Sequence, residues 1–136
     1  MTPGGVVEQY GRVAVEATRL LIADTTLTAA AAWDAAASRI TTSQASRDKG
    51  CPRGAFLGLC EAGLLQGVCP SGGDGGGLNG QYAVRAAKAL RINPGLQYDR
   101  MELWHQSCLD RRKAHNGQMD VVVGLSQSGL LSEDGA

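Results

Sequence analysis

The stretch Gly58-Leu59-Cys60-Glu61-Ala62-Gly63-Leu64-Leu65 returns as Gly124-Leu125-Ser126-Gln127-Ser128-Gly129-Leu130-Leu131, 66 positions further along the chain. Five of the eight positions are identical, and they are Gly, Leu, Gly, Leu and Leu. A glycine behind an apolar helical stripe supplies the left-handed residue that closes a helix, and the leucines after it fold back onto the last turn. The echo therefore predicts two glycine-stopped helices and, carried across the chain, two related halves. No chemistry is repeated, because Cys60 is answered by Ser126 and Glu61 by Gln127.

Outward from these two segments the apolar residues keep helical spacing. Ahead of the first copy, Pro52 stands where the first turn of a helix tolerates proline, and Phe56, Leu57, Leu59, Cys60 and Leu64 trace a buried stripe. Val6, Tyr10, Val13, Ala14, Ala17, Leu20 and Leu21 predict a helix over 6–23, which Gly11 weakens without breaking. A second helix runs from about Thr28 to Ile40, capped by Thr25 or Thr26 and burying Ala30, Trp33, Ala37 and Ile40. The polar stretch 41–50 is a connection with room for a helical turn after Ser43. A fourth helix, capped by Asn79, carries Tyr82, Ala83, Ala86, Ala87 and Leu90 and ends at Asn93-Pro94-Gly95. A fifth, from about Asp99 to Lys113, buries Met101, Trp104, Cys108 and Leu109. The sixth starts near Asn116 or Gln118 and turns Met119, Val122, Val123 and Leu125 inward. Val121-Val122-Val123 would suit a strand, but the echo of the first copy assigns them to a helix. The expected product is an all-α, compact bundle of about six helices with an approximate internal two-fold repeat.

With 136 residues the chain has the size of one domain, 1–136, and its 43% hydrophobic content is globular. Aromatics are only 4%, so the core is built of Ala, Leu and Val, which favours close helix contacts. Thirteen basic and thirteen acidic side chains cancel, which speaks against a strong field for nucleic acid. Residues 70–78, rich in glycine, are expected as a flexible surface loop, and 132–136 as a disordered tail. The amino terminus lacks the features of a secretory signal, and no apolar run approaches the roughly 20 residues that span a bilayer. The expectation is a soluble, cytoplasmic protein, without membrane contact, whose four cysteines stay reduced.

Cys51 is the first candidate for chemistry, since a thiol at a helix start faces unpaired N–H groups that favour thiolate. Lys49 and Arg53 add positive charge, and His105 or His115 would be the base of a thiol-dependent enzyme. The plainer reading makes Cys51 a packed cap residue, and the sequence favours it. Cys51, Cys60, Cys69, His105 and Cys108 lack the short cysteine pair of a structural zinc site, so no metal and no cofactor is expected. Ser46-Arg47-Asp48-Lys49 has the spacing of a serine nucleophile and lysine base but none of the companion motifs. The glycines 72–77 lack the strand and lysine of a phosphate loop. Arg111-Arg112-Lys113, with Arg47, Lys49 and Arg53, would form a basic patch for weak nucleic-acid binding; as dipole-complementing charges at a helix end they need no such role.

The runs Lys49-Gly50-Cys51-Pro52-Arg53-Gly54-Ala55-Phe56-Leu57-Gly58-Leu59-Cys60-Glu61-Ala62-Gly63-Leu64 and His115-Asn116-Gly117-Gln118-Met119-Asp120-Val121-Val122 resemble a small family of bacterial proteins of unknown function. The resemblance covers about Ser43 to Leu131 and implies a bacterial or phage setting. It brings no activity, substrate or partner. The chain departs from the pattern at the glycine-rich insertion after Pro70 and at Ser126.

Taken together, these features predict a non-enzymatic binding module acting on another protein, as an adaptor, immunity-type protein or inhibitor would. Its expected contact surface is the pair of polar connectors ahead of the two glycine-stopped helices: Arg47, Lys49 and Arg53 from the first, and Lys113, His115, Asn116 and Gln118 from the second.

Overall fold

Six α-helices are present among the described residues: α1 (Val6–Ala23), α2 (Ala29–Ile40), α3 (Gly50–Glu61), α4 (Gly77–Ile92), α5 (Arg100–Ser107) and α6 (Gln118–Gln127), with a short 3₁₀ turn at Pro94–Tyr98 between α4 and α5. The structure is a computed structural model that describes residues 6–41, 50–70, 76–108, 110, 113 and 117–132. The expected turn after Ser43, the glycines at 71–75, Leu109 and the tail at 133–136 lie outside the described residues. No strand occurs among those described, and no described helix is long and apolar enough to cross a membrane.

The helix starts follow local chemistry. Thr28, rather than Thr25 or Thr26, caps α2, its hydroxyl accepting the Ala31 N–H at 3.1 Å. Thr26 is occupied one step earlier, giving both its N–H and its hydroxyl to the Asp24 carboxylate. Those bonds, the hydroxyl first, hold the Asp24 carboxyl below its ordinary value. The turn into α5 is made the same way. Asn93 accepts the Gly95 N–H, and Asp99 caps α5 by accepting the Glu102 N–H at 3.1 Å. Replacing the Thr28 cap by alanine should cost about 1 kcal/mol in chemical denaturation, whereas Thr25→Ala should change stability by less than about 0.5 kcal/mol.

Three boundaries differ from expectation. Helix α4 begins at Gly77 behind a left-handed Gly76, so Asn79 lies inside the first turn instead of capping it. Helix α5 stops at Ser107, well short of Lys113, because Cys108 swings into extended backbone. Its N–H still closes on the Trp104 carbonyl at 2.7 Å. In so short a helix only one face is covered: Leu103 and Trp104 are buried while Met101 is exposed. In α2 the inward face is Ala29, Ala32, Trp33, Ala36 and Ala37; Ala30 and Ile40 are half-buried.

The two echoed segments have the same local geometry. Gly63 and Gly129 take positive φ of 76° and 71°, and the Leu64 and Leu130 N–H groups reach back to the Leu59 and Leu125 carbonyls at 2.9 and 2.8 Å. This is the glycine-stopped ending that satisfies the last carbonyls of a helix. The two ends then meet. Leu65 and Leu131 form an isolated antiparallel bridge, in which the Gln66 N–H donates to the Leu130 carbonyl and the Ser132 N–H to the Leu64 carbonyl. A two-fold relation between whole halves is not shown; the shared features are these helix ends and the turns into α2 and α5.

The core is aliphatic and small, as the composition required. Helix α1 packs on α2 and α6, and α3 on α4. Trp33 and Phe56 pack at 5.4 Å between ring centroids, and Tyr82 meets Trp104 edge-on at 5.3 Å. Buried hydroxyls are satisfied within their own helices, as where Thr18 donates to the Ala14 carbonyl at 2.8 Å. Gly11 does more than tolerate the helix around it. Helix α6 crosses α1 there so closely that a β-carbon on Gly124 would stand 2.7 Å from the Gly11 α-carbon. The small residues are what let the backbones touch.

Candidate functional site

Of the connector surface expected from the sequence, Arg53, Lys113 and Gln118 are among the described residues. Pro52 of α3 and Gly117, the N-cap of α6, do approach each other, with a β-carbon on Gly117 reaching to 3.5 Å of Pro52. The side chains around them are engaged internally. Arg53 is held by Asp34 of α2 in a two-point ion pair, Nε to Oδ1 at 3.0 Å and Nη2 to Oδ2 at 3.2 Å. Gln118 is 3% exposed and donates to the Asn79 side chain at 3.0 Å, so it fastens α6 to α4. The Lys113 carbonyl accepts the Trp104 indole N–H, and its ammonium lies 5.5 Å from the centre of the Tyr82 ring. Tyr82, through its hydroxyl and then its charge, raises the Lys113 pKa. Arg47, Lys49, Arg111, Arg112, His115 and Asn116 lie outside the described residues.

The thiol-enzyme arrangement is not assembled by the described residues. Cys51 is half-buried in the first turn of α3, and His105 lies in the last turn of α5. Those two helices are not among the packed pairs, and no hydrogen bond joins the thiol to the imidazole. Cys60 and Cys108 are buried in the core, where a free thiol acts as a small hydrophobe. No group of described histidine, cysteine or acidic side chains is placed to hold a metal ion.

A different feature dominates the surface. Where α1 crosses α6, a groove of about 620 Å³ opens between Arg12, Val15, Glu16 and Arg19 on one side and Asp120, Gly124, Gln127 and Ser128 on the other, with Ile40 and Arg100 closing it. The crossing makes the groove, because Gly11 and Gly124 leave its floor without side chains. Its two acids are matched. Glu16 pairs with Arg39 at 2.7 Å, and Asp120, 2% exposed, meets Arg100 at 2.7 Å in an ion pair without hydrogen-bond alignment. Arg12 and Arg19 have no ion-pair partner among the described residues. The sequence reading missed this site. Its traces were an acid inside the apolar run Met119–Val123 and two arginines seven residues apart on α1, one face of a helix.

Around Arg100 in the sequence, three large apolar side chains are exposed. Ile92 ends α4 and is 85% exposed, Tyr98 ends the 3₁₀ turn at 82%, and Met101 in the first turn of α5 is 53% exposed. Ionic side chains of Arg91, Asp99 and Glu102 stand around them in sequence, all exposed.

Fold and site together define a compact all-α protein with a charged groove between helices and exposed apolar side chains at Ile92, Tyr98 and Met101. The chain belongs to the family of unknown function DUF6979, whose model matches residues 7–132. That span contains every described helix almost completely, and exceeds the Ser43–Leu131 stretch of the sequence resemblance. No curated protein and no solved structure matches the chain.

Proposed function

We propose that this protein is a non-enzymatic binding module that engages another protein through the corner formed by Ile92, Tyr98 and Met101. The observation that carries this reading is the exposure of Ile92 and Tyr98, 85% and 82%, in a chain that has one phenylalanine, three tyrosines and two tryptophans in all. Aromatic side chains are scarce here, and the core is filled mainly with alanine, leucine and valine. Covering one such side chain is worth about 1.5–3 kcal/mol, so three within ten positions form an anchor of the size that dominates interfaces. Tyrosine and methionine are among the residues enriched in the centres of protein interfaces, and a charged rim is their usual surround. The corner thus takes the role that the sequence reading gave to the connectors, of which Gln118 is buried against Asn79 and Arg53 is paired with Asp34 at the surface.

Affinity capture from the native host, with the parent protein and an Ile92→Asp/Tyr98→Ala variant side by side, tests the assignment. The expected result is a specific protein retained by the parent, reduced at least tenfold with the variant, while the two unfold at the same temperature. Equal capture by both would overturn it. So would sedimentation showing that the corner joins two copies of this chain.

A further inference from the structure

The groove between α1 and α6 is separate in chemistry from the apolar corner, and we infer that it is a binding site for an acidic peptide segment. Arg12 and Arg19 project from the same face of α1, two turns apart, which sets them about 10 Å from one another along the helix. Both are exposed, and neither has an ion-pair partner among the described residues. The other charges of the groove are already neutralised, Glu16 by Arg39 and Asp120 by Arg100. Among the described residues, two guanidinium charges therefore stand without an ion-pair partner in one groove. Guanidinium presents a planar fork of donors that fits a carboxylate.

A second notch in the same molecule serves as an internal comparison. Where α3 crosses α4, Gly58 and Gly80 line a smaller cavity of about 340 Å³, with Glu61, Gln81, Val84 and Arg85 around it. The helix segments are alike: Gly11-Arg12-Val13-Ala14-Val15-Glu16-Ala17 corresponds to Gly80-Gln81-Tyr82-Ala83-Val84-Arg85-Ala86. In this notch glutamine stands in the place of Arg12, and the one arginine is tied to the Ser107 carbonyl at 3.2 Å. A glycine-floored crossing is thus made without free guanidinium groups. Packing of α1 on α6 does not demand Arg12 and Arg19.

The rest of the lining selects peptide over a bare anion. Gln127 and Ser128 bring an amide and a hydroxyl at the carboxyl end of α6, where the helix dipole is negative and repels a compact phosphate. A peptide offers N–H groups to that end as well as carboxylates to the arginines. In an extended strand, side chains two or four positions apart share one face, at roughly 7 and 13 Å, and two long arginine side chains rooted about 10 Å apart reach either spacing.

The test is a titration of the isotope-labelled full chain, followed by amide resonances, with a glycine-serine hexapeptide carrying two glutamates four positions apart, on one face of an extended chain. The expected result is shifts at Gly11, Gly124 and Ser128 that weaken with added salt. They should need at least tenfold more peptide in Arg12→Gln/Arg19→Gln, whose thermal unfolding should match the parent. A glutamine version of the peptide should leave the spectrum unchanged. Absence of shifts up to millimolar peptide, equal binding of the glutamine peptide, or undiminished binding by the double variant would overturn the inference. Inorganic phosphate producing the same shifts at equal concentration would overturn it in favour of a small-anion site. Because Ile92 and Tyr98 are untouched in this experiment, its failure would leave the corner proposal standing, and the converse holds.

Discussion

Phe56→Ala is expected to lower the free energy of unfolding by about 3–5 kcal/mol, a loss that approaches the whole stability of a marginal domain. Phe56 is fully buried, and it is the only phenylalanine in the chain. Its ring lies 5.4 Å from that of Trp33, tilted by 38°, and so connects α3 to α2 at the centre of the first half. The core as a whole is built mainly of alanine, leucine and valine, which are too short to swing in and fill the space of a lost ring. The loss therefore includes a cavity as well as the transfer of the ring to solvent. Urea denaturation measures it, and thermal unfolding should shift by on the order of 10 °C. Leu57, next in the chain but only half-buried, should cost clearly less when truncated. Equal effects at the two positions would show that α3 does not present this face to the core.

Gly124→Val should be destabilising by about 3 kcal/mol or more, and Gly124→Ala by about 1–2 kcal/mol, although alanine is the better helix former by roughly 1 kcal/mol. The sign is decided by distance. A β-carbon there would come within 2.7 Å of the Gly11 α-carbon and 3.1 Å of its carbonyl oxygen. Both are backbone atoms that cannot rotate away, so α1 and α6 have to separate along a packed interface. Gly50 provides the opposite case. Nothing lies within 4 Å of a β-carbon at that position, and Gly50→Ala should be neutral or slightly stabilising. An alanine at Gly124 as stable as the parent would mean that the two helices do not touch at this crossing. The same substitution should also disturb the peptide titration, since Gly124 forms the groove floor.

Much of the architecture was legible because it is written in residues close together along the chain. The glycine stops at Gly63 and Gly129 fall where the sequence reading placed them, and so do the six helices, within a few residues at most ends. The misplaced boundaries were settled by contacts that no local pattern reveals. Helix α5 was drawn out to Lys113 because Arg111-Arg112-Lys113 suits a helix end; in the fold the chain leaves the helix at Cys108, and the Lys113 carbonyl meets Trp104 instead. Met101 was assigned to the core on spacing alone, yet a helix of eight residues covers only Leu103, Trp104 and Ser107.

The site was less legible than the fold. Arg53 and Gln118 have the composition of a recognition surface, but their partners, Asp34 and Asn79, are on other helices and turn both side chains to internal duty. In the sequence Asp120 is one polar residue in a valine-rich helix; in the fold Arg100, from the start of α5, lies against it.

By itself the sequence determined that this protein is helical, where its helices stop, and that its core is made of small aliphatic side chains. Those properties depend on propensity, periodicity and glycine chemistry, which act over a few residues. Tertiary structure alone decided that Gly11 and Gly124 touch, that a groove lined by Arg12 and Arg19 opens at their crossing, and that Ile92, Tyr98 and Met101 are left in solvent. Each of these depends on which helices cross and how closely, and the residues that settle it are far apart in the chain.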